Sequence, residues 1–290
     1  MTMTEATTRT IEAPGVTLTY DVRRGGPADA PPLFLVGSPM GAAGFATLAG
    51  HFPDRKIITY DPRGAERSTK EDPSSPSNPD LHADDLHRII QAVGGPVDMF
   101  ASSGGAVNAL ALVRKHPEDV RILVAHEPPL ASVLPDSENA KAAVRAIQSS
   151  YQAGGFGAGM AHFMAVTSHR GEFPDGFAGQ PAPDPATFGL PTEDNGDRTD
   201  VMLAQNIIGT THYEPDFDAL RKASTRIVIA AGAESAGEMA NRGGHAVAER
   251  LGQEPVIFPS HHGGFLGGEY GWGGEPDAFA VKLREVLEEA

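Results

Sequence analysis

Apolar residues recur along this chain in three rhythms. Residues 8–12 and 16–22 alternate β-branched or apolar with polar positions on either side of a Pro-Gly pair, which predicts two paired strands at an edge. Residues 33–36 (LFLV) and 56–60 (KIITY) are instead short apolar runs bounded by Pro and Gly, the pattern of strands covered on both faces. The stretch 80–93 sets Leu81, Leu86, Ile89, Ile90 and Val93 at helical spacing, and Gly94-Gly95 ends it. A strand at 97–101, a helix over 105–115 and a strand at 122–125 follow in the same manner.

Beyond Pro128 the rhythm breaks. Helical patterns over 137–152, 156–167 and 198–208 are separated by a stretch dense in Pro, Gly and Asp. Strand rhythm returns at 226–231 (RIVIAA), then a helix over 236–251, a strand at 255–258 and an amphipathic helix over 276–289. Strands alternating with helices over short connections predict the α/β class, a doubly wound, mostly parallel sheet of eight strands with helices on both faces. The irregular middle is then an insertion between strands 6 and 7 of the eight. It divides the chain into a core domain of residues 1–130 and 216–290 and a helical lid of residues 131–215.

Composition narrows the class of partner. With 290 residues, 40% hydrophobic and 21% charged, the chain can bury a sizeable core. Its 23 Lys and Arg against 38 Asp and Glu give a formal charge of −15, which repels phosphate backbones and anionic membranes. Cysteine is absent, so there is neither a disulfide framework nor a thiolate nucleophile or metal ligand. The N-terminus lacks the basic start and apolar stretch of a signal peptide, and no apolar run approaches a membrane span. The expectation is a cytoplasmic protein acting on a small molecule, with no nucleic acid or membrane partner.

Candidate chemistry gathers at Ala101-Ser102-Ser103-Gly104-Gly105, between a predicted strand and a predicted helix. The five residues match G-x-S-x-G once the first glycine is relaxed to another small residue, and Ser103 takes the central place. Such an elbow holds its nucleophile in a strained turn that bulk two places away would obstruct. The Gly104 N–H lies at the helix N-terminus, where it can face a developing oxyanion. A serine also needs a base, because its own pKa leaves almost no alkoxide at neutral pH. Eleven histidines compete for the role; of the adjacent pair His261 and His262 after the last predicted strand, His262 has the small neighbours Gly263 and Gly264, which let its ring swing toward the elbow.

Here the chain resembles the α/β-hydrolase family. The stretch Val36-Gly37-Ser38-Pro39-Met40 is similar to the family's His-Gly-x-Pro, with Val36 in place of His. That resemblance implies that the Ser38 N–H is the second oxyanion donor. DPRGAERS, 61–68, is similar to the family's D-x-R-G-x-G-x-S and is read as a structural turn. His262 falls where the family places its base. For the acid, the resemblance leaves two candidates: Glu234, after the 226–231 strand where most members carry it, and Glu127, after the 122–125 strand. Glu127 lies 24 residues beyond Ser103, a spacing similar to that of the zearalenone lactonases, which makes it the preferred one of the two.

The resemblance thus implies an α/β-hydrolase fold and a serine hydrolase that cleaves a carboxylic ester or lactone through an acyl-enzyme, with no metal and no organic cofactor. Met40, Phe156, Met160 and Phe163 are the candidate substrate-binding residues; the last three recur at helical spacing in FGAGMAHFMAV. The same apparatus also suits acyl transfer, haloperoxidase-type perhydrolysis without a cofactor, or carbon-carbon bond hydrolysis. A small-molecule receptor built on a hydrolase scaffold is the alternative from a different class.

Overall fold

The computed structural model describes residues 5–27 and 30–289. Its strands are β1 (Thr7–Ala13), β2 (Val16–Arg23), β3 (Leu33–Val36), β4 (Ile57–Tyr60), β5 (Thr69–Lys70), β6 (Val97–Ser102), β7 (Val120–His126), β8 (Arg226–Gly232) and β9 (Val256–Phe258). They form one sheet in the order β1-β2-β4-β3-β6-β7-β8-β9, with β5 beside β2. The pairs from β4 to β9 are parallel; β1, β4 and β5 each pair with β2 antiparallel. Among the described residues the sheet therefore has nine strands rather than eight. The extra one, β5, has only the polar residues Thr69 and Lys70 and no apolar alternation to announce it.

The helices, in chain order, are α1 (Ala46–Gly50), α2 (Pro79–Val93), α3 (Gly104–Lys115), α4 (Ser137–Ser168), α5 (Ile207–Thr211), α6 (Phe217–Lys222), α7 (Met239–Leu251) and α8 (Pro276–Glu288). Local chemistry sets their ends. The Asn78 side chain accepts from the Leu81 N–H at 2.9 Å, Pro79 opens α2 with its φ already suited to a helix, and Gly94 closes it at φ 80°.

Side-chain alternation along the central strands builds two cores. Phe34 and Val36 of β3 join a cluster with α2, α3 and α7 on one face, where Leu86, Ile90, Val107 and Val247 pack. Leu33 and Leu35 point the other way, into a cluster with Phe45, Leu48, Phe279 and Leu283 from the chain around α1 and α8. Both faces are covered, and every residue of β3, β4 and β6 is buried; β3 reads as an unbroken apolar run, while β4 includes Thr59 and β6 Asp98 and Ser102.

Between β7 and β8 the chain forms a third apolar cluster of its own, in which Val144, Ile147, Tyr151, Leu203 and Ile207 pack with Met239 of α7. The two helices expected over 137–152 and 156–167 meet end to end in α4 at Gly155, whose backbone turns to φ 76°, ψ −165°. The helix expected over 198–208 is a π-helical turn, Val201–Asn206, running into α5. Its start is set by Asp200, whose carboxylate accepts from the Met202 and Leu203 N–H groups. Among the described residues, no helix is long and apolar enough to cross a membrane.

Candidate active site

Strand β6 ends at Ser102 and α3 begins at Gly104, so Ser103 alone makes the turn between them, at φ 57° and ψ −128°. A left-handed serine costs roughly 1–3 kcal/mol and persists only where its surroundings enforce it. Here the enforcement is close packing against the chain after β3. A β-carbon at position 105 would lie 2.6 Å from the Val36 carbonyl oxygen, and one at 104 would lie 2.6 Å from that of Ser38. Glycine at both positions lets the start of α3 approach that loop. The Ser103 N–H donates to the His126 carbonyl at 2.9 Å, which fixes the turn to β7 as well.

The two serines of the pair have different surroundings. Ser102 is buried, with Oγ 3.1 Å from His126 Nδ1. Ser103 stands half-exposed at the turn and does not cap the helix it precedes.

Ser102 pairs with His126 across the parallel β6–β7 ladder, so Ser103 and Glu127 are the next residues off two neighbouring strand ends. Glu127 too has a left-handed backbone, φ 47°, and it is fully buried. Its Oε2 lies 2.6 Å from His262 Nδ1. An ionised carboxylate only accepts, so this nitrogen carries the proton and Nε2 is left with its lone pair. The other oxygen, Oε1, accepts from the Gly232 N–H at 2.8 Å, from the Asn241 amide at 2.9 Å and from the Ser235 hydroxyl.

Electrostatics follow from those contacts. Burial opposes charge on Glu127, but the hydrogen bond with His262, the nearby imidazoles and the Ser235 hydroxyl outweigh it and hold the carboxyl well below its usual range. Burial likewise works to lower the His262 pKa, and the Glu127 carboxylate, with Glu238 beyond it, overcomes this and raises it. His126 is fully buried among Phe100, Phe258, Phe265 and Phe279, and its ring lies 5.8 Å from that of His262. Burial, assisted by His262 and opposed by Glu127, pushes its imidazole down to about 4.

The remaining candidates fall elsewhere. Glu234 is exposed, with Oε2 accepting at 3.4 Å from Ser260 Oγ, and the structure pairs His262 with Glu127 instead. His261 has both ring nitrogens engaged by backbone, Nδ1 accepting from the Gly263 N–H and Nε2 donating to the Gly273 carbonyl. Ser38 is buried beside Gly104, and its hydroxyl has no hydrogen-bond partner among the described residues. Met40 packs against Gly37, Gly44 and the α1–α8 cluster. Met160 and Phe163 pack on the apolar cluster between β7 and β8, while Phe156 is about 40% exposed. Asp61 is structural in its contacts, accepting from the Ala42 N–H at 2.8 Å and from Arg67 Nε at 2.5 Å.

Sequence reasoning did not single out His126, Ser235, Asn241 or Thr210, whose Cγ2 lies 3.4 Å from where a β-carbon on Gly104 would be. Asn241 left a faint signal, as a polar residue on the buried, glycine-bearing face of α7.

One group among the described residues brings three metal-ligating side chains within 4.8 Å of one another: His87, His116 and Asp119. The two imidazoles stack at 3.8 Å and 14° from parallel, so an ion between them would lie outside both ring planes, away from the lone pairs. Asp119 precedes the first residue of β7, whereas Glu127 follows its last, which puts a strand length of roughly 20 Å between this group and His262.

No protein-family profile matches the chain. It is 29% identical over 264 residues to the uncharacterized hydrolase YraK of Bacillus subtilis (strain 168), spanning 88% of this chain and 89% of YraK. Its fold superposes on a thermophilic esterase from Thermogutta terrifontis with a TM-score of 0.67, at 18% identity over 99% of each chain. An alpha/beta hydrolase from Sphaerobacter thermophilus aligns with a TM-score of 0.61 at 20% identity, over 96% of this chain and all of that one. A mostly parallel sheet covered on both faces, with a strained serine turn at its centre, is accordingly the α/β-hydrolase fold.

Proposed function

We propose that the protein is a serine hydrolase of carboxylic esters or lactones. The observation that carries this reading is the buried Glu127 carboxylate bound at 2.6 Å to His262, on the strand end next to the left-handed Ser103. The names of its relatives, a hydrolase and an esterase, are consistent with it.

In this reading His262 Nε2 takes the proton from Ser103 Oγ as the oxygen attacks the substrate carbonyl carbon. Glu127 holds the ring by Nδ1 and stabilises the cation that forms. The Gly104 and Ser38 N–H groups receive the negative charge on the carbonyl oxygen, and a buried, unpaired Ser38 hydroxyl supports a polar guest at that spot. Collapse of the intermediate breaks the bond to the leaving alcohol, which takes its proton from His262 and leaves an acyl-Ser103. Water then repeats the sequence with His262 as base, releasing the acid. In a lactone the departing alcohol stays tethered to the acid.

Residues 131–215 are assigned the part of a lid, supported by the place of Thr210, whose Cγ2 would lie 3.4 Å from a β-carbon on the elbow glycine Gly104, and by the segment's own apolar cluster. Met40 and the lid residues Phe156, Met160 and Phe163 are the candidates for selecting the acyl or alcohol group. The test is covalent: a fluorophosphonate should label Ser103, found by mass spectrometry of the digested protein, and Ser103→Ala should abolish the adduct. A folded protein that takes no label on Ser103 would refute the hydrolase reading.

A further inference from the structure

A carboxylate has about four acceptor sites, two on each oxygen. The Glu127 carboxylate accepts four hydrogen bonds among the described residues, and they are unequally shared: three donors crowd Oε1 and one imidazole meets Oε2. The three donors come from outside its own strand. Gly232 ends β8, Ser235 lies in the turn after it, and Asn241 is the third residue of α7. Ser235 is fully buried and Asn241 nearly so, which makes an unbonded Oε1 costly and a bonded one hard to displace. Asn241 is itself anchored, its amide lying 3.1 Å from the Gly232 carbonyl and 3.3 Å from Ser235 Oγ.

We infer that Ser235 and Asn241 are positioning residues for the reaction: by clamping Oε1 they fix the plane of the Glu127 carboxylate and reserve Oε2 for His262. The inference rests on the hydrolase reading above. Rotating the carboxylate about its Cγ–Cδ bond would break three bonds to Oε1 at once, so the acid has a single orientation. Without the clamp, the group could turn within its pocket and the imidazole would lose a partner of fixed direction. Ser103 would then face a base whose ring is free to tilt.

The experiment compares Ser235→Ala, Ser235→Cys and Asn241→Ala with the wild type in three measurements. These are fluorophosphonate labelling of Ser103, turnover of p-nitrophenyl acetate, and titration of the His262 imidazole by NMR. Both alanine variants should lower kcat about ten- to a hundredfold with KM unchanged. In both, the His262 titration should move down towards that of an ordinary imidazole, because the hydrogen bond it donates to Glu127, with the charge of that carboxylate, is what raises it. Ser235→Cys keeps the volume but only a weak donor, so it should resemble Ser235→Ala. The clamp is overturned if Ser235→Cys matches the wild type, or if both alanine variants leave the His262 titration unmoved. A wild type that takes no label on Ser103 refutes the hydrolase reading instead, and the NMR titration still decides whether Ser235 and Asn241 hold the carboxylate.

Discussion

At the scale of single residues, Glu127 and Glu234 offer a direct contrast. Glu127→Gln keeps the shape but presents an amide to an imidazole that needs an acceptor, and should cost on the order of 10³–10⁴ in kcat. Glu234→Gln alters an exposed side chain whose one close partner is Ser260, and should leave kcat within about threefold. Steady-state rates on a p-nitrophenyl ester check both, and equal losses would contradict the assignment. The pH dependence follows from the proposed role of His262, a base that works only when neutral and whose pKa is raised. Activity should therefore fall as pH drops, with the midpoint of kcat/KM above the roughly 6.5 of a free imidazole. A midpoint below that value would count against the pairing with Glu127.

At the scale of elements, the elbow and α7 depend on close approach. A β-carbon on Gly243 would meet the Pro128 carbonyl oxygen at 2.3 Å, so Gly243→Ala should push α7 away from the end of β7. A loss of about 1–3 kcal/mol is expected from such overpacking, read as a lower midpoint in urea. Gly50, exposed at the end of α1, where an added β-carbon would meet no other part of the described residues within 4 Å, makes the matched control, and Gly50→Ala should be neutral or stabilising by up to about 1 kcal/mol. Much of this level is legible in the chain. Strands buried on both faces write themselves as LFLV or RIVIAA, and the elbow is local, five residues whose bulk is limited by their neighbours. Other parts had no such signature. Strand β5 is two polar residues, and α6 a single capped turn and a half. Glu127 and Glu234 follow adjacent strands with similar local chemistry, and only the direction of each side chain separates them. The donors Ser235 and Asn241 lie 108 and 114 residues beyond Glu127, and no spacing rule connects them to it.

At the scale of the whole molecule, the Glu127–His262 pair links stability to pH in two opposite senses. The depressed Glu127 stabilises the fold above the roughly 4.3 of a free glutamate, and that contribution is lost as pH falls towards its folded value. The raised His262 contributes fully below about 6.5 and loses its share as pH climbs through its folded value. The proposed mechanism needs the neutral ring, so the protein should gain activity over the interval in which it gives up this stabilisation. Calorimetry of wild type and His262→Ala should show their Tm difference largest near pH 5–6 and shrinking above; a difference that grows with pH would contradict the sign. Ser103 and Glu127 stand 24 residues apart along the chain. The β6–β7 ladder, not that count, sets where the two stand, because Ser102 is paired with His126 whatever lies between the strands. Lengthening the turn at 116–118 should therefore leave both residues in place. One residue added within 120–126 would swap the inward and outward sides of the strand and carry Glu127 off His262. Ser103 and its proposed acid Glu127 thus form one two-stranded cassette, which should tolerate a trimmed or extended connection between its strands.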